Sequence, residues 1–173
     1  MTGRIIESIT GKREKSLEEH MTMDEFREIV RRLRAEDGCP WDRKQTHQSL
    51  RSCMMEEASE FVASVKLYEE TGHDENMIEE LGDMLLQVVM NAQIASEEGR
   101  FTLDDVIDGI GEKLIRRHPH VFGNKEAGTP EEALANWKEE KSREKESRDW
   151  KELSKEDTMK EGLKYLKLAY EKK

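Results

Sequence analysis

Two short acidic stretches, MEEASE at 55–60 and EELGD at 79–83, concentrate carboxylates inside otherwise apolar segments of the chain. Within them Glu57/Glu60 and Glu80/Asp83 stand three residues apart, an interval that sets two side chains on one face of a helix. If two antiparallel helices bring those faces together, four carboxylates share one small volume. Unit charges about 4 Å apart repel by several kcal/mol even at an effective dielectric near 20, so such a cluster demands compensation. Divalent cations provide it. Oxygen-only donors favour magnesium, with manganese as a substitute, over zinc, which prefers His and Cys. A di-iron carboxylate site is disfavoured because it needs Glu-x-x-His on each of two helices, whereas the chain offers only Glu70 to His73, interrupted by Gly72. A single acidic pair on a helix is ordinarily a solvated stripe; two matched pairs in apolar segments point instead to a metal.

Other residues suit an anionic ligand. Lys113, Arg116 and Arg117 precede His118-Pro119-His120 and can hold phosphate oxygens, or else compensate the dipole at a helix C-terminus. Trp41 can stack on a base or plug the edge of a core, and Asp42 and Gln45 are either base-reading groups or local turn and cap residues. Cys39 and Cys53, with His47 between them, match no familiar zinc spacing and read as reduced thiols.

The elements that must position these groups are helical. The chain has 173 residues, 39% of them charged and 35% hydrophobic, with three prolines, which leans towards one all-α domain with appended segments. A net charge of −10 argues against a nucleic-acid backbone or an anionic membrane as partner, while leaving room for an anionic small ligand bridged by cations. MTGRIIESITGKREKS has no apolar core of a signal peptide and no apolar run spans a membrane, so a cytoplasmic location is expected.

Residues 1–21 read as a charged arm. Thr22 and Glu25 form a capping-box pattern, and Phe26, Ile29, Val30 and Leu33 then recur at helical spacing over about 23–36, before Gly38 and Pro40. Thr46 caps a long helix of about 47–71 with Leu50, Met54, Phe61, Val65 and Tyr68 on its apolar side, closed by Gly72. A third helix, about 75–98, has Met77, Leu81, Met84, Leu85, Val88, Val89, Ala92 and Ala95 around most of its circumference and is expected to be buried. Thr102 with Asp105 opens a fourth, through Val106, Ile110, Leu114 and Ile115 to the Pro119 break, and short loops among the four suggest a bundle. Thr129-Pro130 starts a polar helix near 131, supported by Glu139/Arg143 and Glu144/Arg148 pairs. A last amphipathic stretch, about 157–171, carries Leu163, Leu166 and Tyr170 on one side.

GCPWDRKQTHQSL at 38–50, the MEEASE and EELGDMLLQVV pair, and GRFTLDDVIDGIGEKLIRRHPHVFG at 99–123 together resemble the MazG family of nucleoside triphosphate pyrophosphohydrolases, and ALANWKEEK at 133–141 is similar to the segment that follows such a domain. The resemblance implies an all-α, four-helix-bundle-like catalytic domain at 22–125, a charged helical extension at 126–173, and magnesium-dependent hydrolysis of a nucleoside triphosphate to monophosphate and pyrophosphate. By position it nominates Glu57, Glu60, Glu80 and Asp83 as metal ligands with Glu56 as an auxiliary acid. Either Glu56 or Glu60 would orient the attacking water, and Lys113, Arg116 and Arg117 would stabilise the departing pyrophosphate. Met90-Asn91 stands where the family carries an aromatic residue followed by His or Tyr, which sets Asn91 among the residues shaping the pocket. The RRHPHVFG ending is similar to the first domain of tandem members.

A catalytically weak nucleotide-binding module and a structural dimerisation bundle are the competing readings. The nearly all-round apolar third helix and the resemblance both imply a homodimer or higher homo-oligomer.

Overall fold

Thr22 and Glu25 exchange hydrogen bonds, the Thr22 amide donating to Glu25 Oε2 at 2.9 Å and the Glu25 amide to Thr22 Oγ1 at 3.3 Å, and this reciprocal cap opens α1, Met23–Arg34. The computed structural model describes residues 20–147 and 152–171, which contain eight helices and no strand. The expected arm at 1–21 falls outside them apart from its last two residues. Past α1 the chain turns back tightly: a Cβ on Gly38 would lie 2.4 Å from the Leu33 carbonyl oxygen, so only glycine fits. Pro40 then occupies the first turn of α2, Pro40–Arg43, a one-turn helix inside what the sequence suggested was a loop.

The long helix α3, Leu50–Thr71, begins three residues later than expected. Thr46 and Ser49 trade backbone–side-chain hydrogen bonds at 2.9 and 3.2 Å, so Thr46 closes a turn of its own before the regular helix starts. Gly72, at φ 74, ends α3 in the left-handed conformation that glycine adopts without a Cβ penalty, and α4, Glu75–Glu97, follows at once. This short connection makes α3 and α4 a helical hairpin, the most extensive helix pair among the described residues, with α1 packed on α4.

The chain divides into two compact units. The first contains residues 20–100 and 161–171, with its core at Val30 of α1, Leu50 of α3, and Val89, Met90, Ala92, Ile94 and Ala95 of α4. The expectation that α4 is buried all round holds only for that C-terminal half. Towards its N-terminus Ile78 is 65% and Leu81 49% exposed, and Leu85 and Val88 continue the uncovered strip, because no described residue packs over it. The closing turns of α8, Lys155–Glu171, belong to this unit and lie on α3: Gly162 faces Met55, Arg51 pairs with Glu161 at 3.2 Å and lies over the Tyr165 ring, and Ser59 bonds the Tyr170 hydroxyl at 2.9 Å. The contact face is therefore built on Gly162, Tyr165 and Ala169 more than on Leu163, which stays exposed.

The second unit covers residues 101–160. Thr102 and Asp105 form the expected capping box of α5, Leu103–Arg117, and Pro119 opens a further one-turn helix, α6, Pro119–Phe122. Opposite runs α7, Pro130–Ser147. Glu139 pairs with Arg143 as expected, whereas Glu144 reaches Arg117 at 2.5 Å and Arg116 at 3.4 Å; its anticipated partner Arg148 lies outside the described residues. None of the described helices is long and apolar enough to cross a membrane.

Candidate metal centre

The α3–α4 hairpin brings the acidic faces together. Glu57, Glu60 and Glu80 each offer a carboxylate oxygen within 4.8 Å of the others, a spacing a single cation can span. Glu80 is only 8% exposed, and the Asn76 side-chain amide, one turn earlier on α4, donates to its Oε1 at 2.8 Å. That bond orients the Glu80 carboxylate.

Burial first, and then the charges of Asp83, Glu60, Glu56 and Glu80, push the Glu57 carboxyl up to about 7. Asp83 thus acts on Glu57 more strongly than any other charge, although it is not one of the three converging acids. A carboxyl held this high by its neighbours is one whose ionised form a cation would stabilise, and the all-oxygen donor set suits a hard divalent ion. The residues fit a metal of the magnesium class.

On α2 Trp41 is 60% exposed, and Gln45 is committed locally: its Nε2 donates to the Trp41 carbonyl at 3.0 Å and its Oε1 accepts from Ser49 Oγ at 2.7 Å. The segment carrying Trp41, Asp42 and Gln45 is pinned by Arg34, whose guanidinium donates to the carbonyls of Asp42 and Gln45 and pairs with Glu97 of α4 at 2.7 Å. Asn91 accepts from His47 Nδ1 at 2.8 Å and donates to the Gln87 carbonyl at 2.8 Å. Asn76, Gln87, His47 and Arg34 were not singled out from sequence. Asn76 could have been, since it stands four residues before Glu80, and so could Gln87, four past Asp83; His47 and Arg34 depend on contacts between distant segments.

In the second unit Lys113 is half-buried on α5, and Arg116 and Arg117 are both engaged by Glu144. Arg117, 9% exposed, also lies 5.2 Å from the centre of the Trp137 ring, and its charge with that of Arg116 holds the Glu144 carboxyl below its usual range, the Arg117 hydrogen bond being the main cause.

Residues 45–122 match the MazG nucleotide pyrophosphohydrolase domain. The chain is 54% identical over 120 residues to a Bacillus subtilis protein named uncharacterized protein YabN, a match covering 69% of this chain and 24% of that one. It is 48% identical over 122 residues to a Thermotoga maritima protein named nucleoside triphosphate pyrophosphohydrolase/pyrophosphatase MazG, covering 70% and 45%. It is 40% identical over 124 residues to the Escherichia coli K12 nucleoside triphosphate pyrophosphohydrolase, covering 71% and 46%. The matches thus span from a quarter to just under a half of the length of these three relatives.

Proposed function

We propose, from the premise that residues 45–122 belong to the MazG nucleotide pyrophosphohydrolase family, that this chain hydrolyses nucleoside triphosphates to monophosphate and pyrophosphate. The observation that carries the reading is the convergence of Glu57, Glu60 and Glu80 within 4.8 Å on the matched segment. Glu57, Glu60 and Glu80, with Asp83, would hold magnesium, and manganese in its place. Such an ion, when bound, neutralises phosphate charge and acidifies a water for in-line attack, here at the α-phosphorus. Glu56 or Glu60, whichever is less committed to metal, orients that water as general base. Asn76 keeps Glu80 aimed, and the Arg34-pinned segment presents Trp41 and Asp42 to the nucleoside.

Lys113, Arg116 and Arg117, in the second unit, would hold phosphate oxygens by their charge. Because Glu144 already engages both arginines, phosphate would have to exchange with that carboxylate. Self-association follows from the uncovered strip Ile78, Leu81, Leu85 and Val88 on α4, which a second copy would bury.

Pyrophosphate release from a panel of ribo- and deoxynucleoside triphosphates with magnesium, in the parent and in Glu57→Gln, tests this function. Pyrophosphate and monophosphate should appear together and vanish in the variant. Nucleotide binding without release would leave a regulatory binding module, and orthophosphate as first product would move the point of attack.

A further inference from the structure

We propose that Gln87, supported by Asn91 and His47, is the nucleoside-recognising element of this site, with Gln87 Oε1 accepting a hydrogen bond from a sugar hydroxyl of the substrate; this rests on the pyrophosphohydrolase reading above. Gln87 lies seven residues past Glu80 and four past Asp83, so it continues the acidic face of α4. It is 7% exposed, yet its Oε1 is buried with no donor. Apolar side chains surround the same helix, and a leucine would serve packing better. A buried acceptor without a partner in a folded protein calls for a functional explanation.

The second half of the element is a chain of hydrogen bonds whose directions can be assigned. Asn91 donates its amide to the Gln87 carbonyl at 2.8 Å, so its oxygen faces His47 and must accept from His47 Nδ1 at 2.8 Å. His47 Nε2 is buried without a hydrogen-bond partner among the described residues, with Glu98 Oε2 3.7 Å away. Gln87 Oε1, an acceptor in any protonation state, thus awaits a donor from a ligand rich in hydroxyl groups.

Position favours the sugar for Gln87. Four residues of helix advance about 6 Å from Asp83, comparable to the span between the α-phosphorus and a sugar hydroxyl of a nucleotide whose phosphates the acidic cluster would hold.

The test compares the parent with Gln87→Leu on ATP, 2′-deoxy-ATP, 3′-deoxy-ATP, 2′,3′-dideoxy-ATP and ITP with manganese, reading both pyrophosphate release and calorimetric affinity. The variant should lose about tenfold in kcat/KM on substrates carrying the recognised hydroxyl and nothing on the sugar that lacks it. Its thermal midpoint should hold or rise, since an unpaired buried acceptor is removed. Equal losses on every sugar, or a loss that tracks only ATP against ITP, would overturn the assignment. Gln87→Met guards against a packing failure of leucine, and unfolding of both variants would mark Gln87 as a core residue instead. Absence of release by the parent would sink the hydrolase reading while the binding panel still decides the sugar contact; absence of any nucleotide binding would remove both.

Discussion

The Asn76 amide donates to Glu80 Oε1 at 2.8 Å across one turn of α4, so a neutral side chain sets the direction of a buried carboxylate in the acidic cluster. Partners of this kind tune a metal site almost as strongly as its ligands do. Asn76→Ala should lower Mn²⁺ affinity by about tenfold, with the fold intact by circular dichroism. Titration calorimetry checks this, and unchanged affinity would mean that Glu80 is not a ligand.

Glu57, raised to about 7 mainly by burial and then by Asp83 and its other acidic neighbours, makes the metal-free protein sensitive to pH. Its folded state holds a proton that the unfolded chain, with an ordinary glutamate near 4.5, gives up. Stability is therefore greatest below about 4.5 on this account and falls as pH rises through about 7. Urea midpoints in chelator-containing buffer should drop between pH 5 and pH 8, the drop should shrink in Glu57→Gln, and Mn²⁺ binding at pH 6 should release a proton.

Arg117 and Glu144, paired at 2.5 Å with side-chain exposures of 11% and 16%, form the best-enclosed ion pair of the second unit's described residues. Deleting one partner strands the other charge. Glu144→Ala should cost about 3 kcal/mol in denaturant unfolding, while the double change Arg117→Met/Glu144→Leu should recover much of it. Failure of the double variant to recover would show that the arginine serves more than its carboxylate.

Leu81 and Leu85 sit in the uncovered apolar strip of α4. If a second copy buries it, Leu81→Glu should convert the parent oligomer to a monomer in sedimentation equilibrium, with little change in helicity. A parent already monomeric at micromolar concentration would remove this face from consideration as a self-interface.

The sequence announced most of the helices because their ends carry local chemistry: Thr22/Glu25 and Thr102/Asp105 cap by themselves, and Gly72 and Pro119 stop by themselves. The acidic triplet Glu57, Glu60 and Glu80 was legible for a related reason, since the three-residue interval survives any detail of packing. Less legible was whatever depends on distant neighbours. The short helices α2 and α6 hide behind Pro40 and Pro119, residues that start a helix as readily as they end one. Spacing paired Glu144 with Arg148, which lies outside the described residues, and could not show that contact between α5 and α7 also gives Glu144 Arg117. The exposed side of α4 was read as core because periodicity reports that a face is apolar without saying which molecule covers it.

Arg34 joins three stretches of chain through one side chain, binding Glu97 at the end of α4 and the carbonyls of Asp42 and Gln45 ahead of α3. A loop tethered in this way has spent its conformational entropy during folding, before any ligand arrives. If Trp41 and Asp42 meet a nucleoside as proposed, they would do so without an ordering penalty. The same tether also links registers: a change that shifts the last turn of α4 would move the recognition segment with it, so substrate preference could drift through substitutions at Glu97 that never touch the substrate.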